Sequence, residues 1–141
     1  MDTQKSVLTY IYNLLTTDAT LITAMTTVRL YLTWAISDAE FPYMVHRMDF
    51  RAGTIFPARI GTYYLDIWDD ADNSETLLTI RQRIIGLLDQ INFNTTDVKN
   101  VRLSLAADSF IPEDEPGIWH YAMQFDIYIW RQAELIAINS R

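Results

Sequence analysis

Cysteine is absent from the chain, which removes disulfides and thiolate metal ligands and fits a reducing compartment. Glycine and proline are sparse, at 4 each, so there is neither a Gly-rich phosphate loop nor a flexible linker. The two histidines, His46 and His120, stand alone on different predicted strands, with no second ligand at metal spacing. They read as structural or surface residues. No apolar run is long enough to span a bilayer, and the opening Met-Asp-Thr-Gln-Lys-Ser lacks a signal-peptide pattern. Basic residues are scarce too: 11 Lys and Arg against 18 Asp and Glu give a net charge of −7. With no basic cluster, general affinity for nucleic acid is excluded, although such a balance tolerates DNA passing by without a grip.

Against these absences, half of the 141 residues are apolar and 13% are aromatic, a globular composition sized for one domain over residues 1–141. The organising stretch is Ile60 to Ile91. Tyr63, Leu65 and Ile67 alternate with Thr62, Tyr64, Asp66 and Trp68, as in a half-buried strand. Leu77, Ile80, Ile84, Leu87 and Ile91 then recur at spacings of three and four, the stripe of an amphipathic helix. Between them, Asp72 with Glu75 predicts a variant of the capping box.

A helix is predicted over Thr3 to Thr16, followed by a short one capped by Asp18, and a short strand over Val28 to Leu32. Thr33 to Phe41 is a loop with an exposed Trp34, and Tyr43 to Phe50 a strand. Arg51 to Arg59 is a loop around Gly53 and Pro57, with Ile55 and Phe56 at its middle, and Asn92 to Asp97 is a polar turn. Val101, Leu103 and Leu105 mark a strand, Ala107 to Gly117 a loop carrying Phe110 and Ile111, and Ile118 to Arg131 a long last strand. The order αβββαββ implies an α+β fold: a mostly antiparallel sheet of four to five strands with helices on one face. Tyr63, Leu65, Ile67, Leu77, Ile80, Ile84, Leu87, Leu103, Leu105, Phe125 and Ile127 form the expected core. Tyr64, Trp68, Tyr128 and Trp130 make the other face sticky.

No catalytic constellation is present. Asp70-x-Asp72-x-Ser74 opens like a calcium loop, but the required glycine is missing and Arg81 stands where its closing glutamate should be. There is no Gly-x-Ser-x-Gly elbow, and Glu113-Asp114-Glu115 reads as a solvated acidic run. The expectation is a non-enzyme with no cofactor and no metal.

Leu14-Leu15-x-x-Asp18-Ala19, Val28-Arg29-Leu30-Tyr31, Phe41-Pro42-Tyr43-Met44-Val45, Tyr64-Leu65-Asp66-Ile67-Trp68 and the closing Gly117-Ile118-Trp119-His120-Tyr121 to Trp130-Arg131 together resemble the tail-completion, or tail-terminator, family of long-tailed phages. The apolar tail after Arg131 departs from that pattern. The resemblance implies a structural virion protein, made in the host cytoplasm, whose copies (usually six) form a ring on the head-proximal end of the tail tube. Its partners would be itself, the tube protein and head connector proteins, with DNA passing through and no membrane contact. Candidate interface residues are Arg51, Ile55, Phe56, Arg59, Phe110, Ile111, Tyr128 and Trp130, chosen as apolar or aromatic groups on loops or on the face the core does not use, with two flanking arginines. Two alternatives remain: a head–tail adaptor or other neck or baseplate ring component, and a non-catalytic ligand-binding module with its pocket on the aromatic face.

Overall fold

The computed structural model describes residues 3–51, 58–95 and 98–130. Helix α1 spans Thr3–Thr16 and buries Val7, Ile11 and Leu15, one residue per turn along a single stripe. Helix α2, Ala19–Met25, starts at Asp18, whose carboxylate accepts the Leu21 N–H at 3.0 Å. Helix α3, Glu75–Leu88, buries Leu77, Ile80, Ile84 and Leu88. Its stripe therefore passes through Leu88, and the expected Leu87 lies half-buried at the core's margin. Spacings of three, four and four follow the helix's 3.6-residue turn, whereas Leu87 falls to one side of that line. The expected capping box at Asp72 and Glu75 does not form: Ser74 is the N-cap without a side-chain bond, and Asn73 Oδ1 takes the Glu75 N–H.

Among the described residues six strands make one sheet: β1 (Leu30–Leu32), β2 (Tyr43–Phe50), β3 (Ala58–Asp69), β4 (Asn92–Phe93), β5 (Lys99–Ile111) and β6 (Trp119–Trp130). Their spatial order is β1-β2-β3-β6-β5-β4, antiparallel throughout except for the β1–β2 pair. The count exceeds the predicted four to five because the turn after α3 contains β4, paired at Asn92 and Phe93 with Arg102 and Val101.

A second correction concerns β5. The segment read as a loop from Ala107 continues as strand to Ile111. A bulge between Leu105 and Ala107 inserts one residue, so the apolar alternation of Val101, Leu103 and Leu105 changes phase there and is invisible as a continuous pattern. Leu105, expected in the core, packs half-buried against it.

All three helices contribute their apolar stripes to one face of the sheet, where Tyr63, Leu65, Ile67, Met123, Phe125 and Ile127 are sealed. Asp18 also ties α2 to α3, accepting Arg83 Nε and Nη2 at 3.0 and 2.7 Å. The Arg83 hydrogen bonds hold the Asp18 carboxyl below its ordinary range. Gly61 is required where β3 meets β2: a Cβ there would lie 2.2 Å from the Asp49 carbonyl oxygen.

Candidate interaction surfaces

The cross-sheet register builds the uncovered face row by row. Its lowest row is Tyr43, Trp68, His120 and Ile111, each paired with the next. Trp68 stacks between Tyr43 (centroids 5.3 Å apart) and His120 (4.2 Å), and Phe41 leans on Tyr43 at 5.3 Å. Carboxylates tie this row together. The Trp68 indole N–H donates to Glu113 Oε1 at 3.2 Å, and His120 Nε2 lies 2.8 Å from Asp66 Oδ2. Glu113 Oε1 also sits 2.6 Å from His120 Nδ1, without hydrogen-bond geometry. Glu113 is therefore not a purely solvated acid, as its run suggested, but a contact between the β5–β6 turn and the aromatic row. Burial raises the Tyr43 phenol pKa, and the charge of Glu113 adds to the effect.

The expected stickiness of this face is reduced by such pairing. Trp68 is sandwiched, and Tyr64 lies under the Arg47 guanidinium at 3.7 Å. Tyr128 is 44% exposed. The Trp130 side chain lies outside the described residues, as do Ile55 and Phe56. Arg51 is exposed, its N–H donating to the Ile60 carbonyl, and Arg59 stacks its guanidinium over Phe50 at 4.1 Å.

Phe110 and Ile111, 45% and 39% exposed, sit at the end of β5 rather than in a loop. Phe110 contacts Tyr121 and Trp119 edge-on, beside a network in which Asp108 accepts from Arg81 and from the Tyr121 hydroxyl. Those two donors, Tyr121 first, hold the Asp108 carboxyl below its ordinary range. Tyr128 pairs with Arg102 and Ile111 with His120, so Tyr128 and the Phe110–Ile111 pair occupy opposite ends of the β5–β6 ladder. The proposed residues thus belong to separate patches.

Among the described residues the most exposed large apolar groups lie elsewhere, at the end of β1 and in the segment after it. Trp34 is 81%, Ile36 60% and Leu32 57% exposed. Leu32 also lines a cleft of ≈ 680 Å³ between α1 and the β1 edge, walled by Leu8 and Tyr12 on one side and Leu32, His46 and Met48 on the other. Trp34 was legible as an exposed loop aromatic; the cleft was not, because its walls are remote in sequence. At its floor His46, 3% exposed, hydrogen-bonds the buried Tyr63 hydroxyl through Nδ1 at 2.7 Å. Burial lowers the imidazole pKa to about 4. Asp69 is buried as well; burial raises its pKa, while its Oδ1 accepts the Asp70 N–H. Among the described residues no group of three or more His, Asp or Glu could hold a metal ion, and no helix is long and apolar enough to cross a membrane.

The sequence matches no family model and no curated protein. Among solved structures it is similar to a chain from the virion of a native gene transfer agent particle. The two share 14% identity and superpose with a TM-score of 0.74, over 91% of this chain and 94% of that one. The likeness is one of fold, and it extends across nearly the whole of both chains.

Proposed function

We propose that the protein is a structural component of a phage-like virion that forms a ring, six copies in number, on the head-proximal end of a tail tube. The ring stops tube growth and offers the head connector a surface, while DNA passes through its lumen without specific contacts. In this reading the chain catalyses no reaction and needs no cofactor. The observation that carries the proposal is the fold shared along almost its full length with a chain of a gene transfer agent virion. The exposed apolar groups at the β1 edge and the end of β5 support it, because a closed ring needs two different patches that meet. The net charge of −7 opposes self-association until salt screens it, over about 8 Å at physiological ionic strength.

The free protein is accordingly expected as a monomer, or in a loose equilibrium, in dilute low-salt buffer. Rings are expected at high salt, at high concentration, or on purified tubes. Light scattering across salt and concentration, with electron microscopy of protein mixed with tubes, checks this. A strict monomer under all conditions that leaves tube ends bare would overturn it.

A further inference from the structure

The two lateral edges of the sheet are stepped. On one side β1 covers β2 only from Met44 to His46, and Arg47–Phe50 has no strand beside it among the described residues. On the other side β4 covers β5 only at Val101 and Arg102. Backbone and side-chain bonds from Asp89, Gln90 and Ile91 extend that cover to Leu105. From Ala106 to Ile111 no described strand flanks β5 on the side away from β6.

The register places the steps opposite each other. The row that starts at Leu30 runs through Met44, Ile67 and Tyr121 to Phe110. The row of Tyr31 ends at Ser109, and that of Leu32 at Asp108. The strand that projects on one side is thus missing on the other side of the same rows.

We propose that β1 of one copy pairs antiparallel with the half of the next copy's β5 whose outer side no described strand flanks, level by level, so that the sheet continues head to tail around the ring; this rests on the ring reading above. Strand direction fits, because β1 runs with β2 and β6 and against β5. Facing also fits. Leu30, Leu32, Asp108 and Phe110 all lie on the helix side, so a continued sheet brings Phe110 beside Leu30 and Leu32 at the mouth of the cleft. β5 continues into Glu113-Asp114-Glu115, and in this register that acidic turn runs past Arg29, the residue before β1, whose guanidinium already bridges Glu40 at 3.1 Å. Neither β1 nor Ala106–Ile111 contains Lys or Pro, so the bulge and the inward-facing Asp108 are what blunt the β5 edge.

The chain contains no cysteine, so engineered thiols report without background. Paired residues on adjacent antiparallel strands have Cα atoms about 4.5–5.5 Å apart, within disulfide reach. Tyr31→Cys and Ser109→Cys, placed in one full-length chain, assembled and oxidised, should give a ladder on a denaturing gel that ends at the copy number of the ring. An equal mixture of the two single variants should stop at dimers. A ladder from Thr33→Cys with Ser109→Cys instead would keep the two edges and overturn the level register. Dimers from either single variant alone would mean like edges pair, and would overturn the proposal. Rings visible by microscopy with no ladder from either pair would overturn it while leaving the ring reading intact. Absence of any assembly by the unmodified chain would remove both.

Discussion

On the helix side of the sheet the buried side chains are almost all aliphatic, methionine or aromatic, drawn from α1, α2, α3 and all six strands, and polar groups are almost excluded. On the other side, rings alternate with charges: Tyr43, Trp68 and His120 stack, Arg47 covers Tyr64, and Asp66 and Glu113 bond to the row. The first face gains stability from area removed from water, about 25 cal/mol per Å². The second gains little from area and more from directional contacts, each worth about 0.5–1.5 kcal/mol. A protein that must present one side to partners can alter the second face residue by residue, whereas the first tolerates almost no change in volume.

The comparison breaks most directly at Ile84. Ile84→Ala removes a fully buried branched side chain from the centre of α3 and should cost about 2–5 kcal/mol in chemical denaturation. A loss near zero would mean that α3 does not seal this face.

His46 tests the same face through pH. Its folded pKa is depressed to about 4 by burial, so between its ordinary value and about 4 the unfolded chain holds a proton that the folded one refuses. The sign is therefore a loss of stability as pH falls through that window. The limiting slope is about 1.4 kcal/mol per pH unit, and the cumulative effect is on the order of 3 kcal/mol. His46→Leu should be less stable at neutral pH, because it orphans the Tyr63 hydroxyl, yet should lack this component of the slope. Denaturant midpoints measured from pH 4 to 7 on both proteins separate it from the carboxylates, which titrate in both.

On the open face the expected effect is smaller. Trp68→Phe keeps a ring between Tyr43 and His120 but deletes the indole donor to Glu113. It should cost about 0.5–1.5 kcal/mol and speed amide exchange selectively in residues 113–118. Uniformly faster exchange would instead make Trp68 part of the global core.

How much of this was readable beforehand depended on whether a segment kept its period. Thr3–Thr16 and Tyr43–Phe50 were legible to the residue, because one helical stripe and one proline-set strand entry sufficed. Tyr63, Leu65, Ile67, Phe125 and Ile127 declared their face by alternation and occupy it. Leu87 and Leu88 could not be separated, since both continue an apolar stripe and only the packing of α3 decides between them. Residues 107–111 read as loop because the bulge shifts the alternation, and Asn92–Phe93 was too short to carry any period. For the candidate surfaces, sequence chose aromatic residues one at a time. It picked out Phe110 and Ile111 but missed Leu32, whose significance comes from lying on the edge strand, and Ile36 in the segment that follows it. The Trp68–Glu113–His120 contact joins residues 45 or more positions apart on its Trp68 side and left no local trace.

The extra residue in β5 also sets how this chain can vary. Deleting Ala106 would restore unbroken alternation and leave every side chain beyond it on its present side, because Leu105 already pairs with Phe125 and Ala107 with Gln124. A second single deletion has no bulge to absorb it and would reverse the faces beyond it, parting Asp108 from Arg81 and Tyr121 and Phe110 from Trp119 and Tyr121. The strand therefore carries one spare position in a reading frame imposed by the pleat instead of by codons.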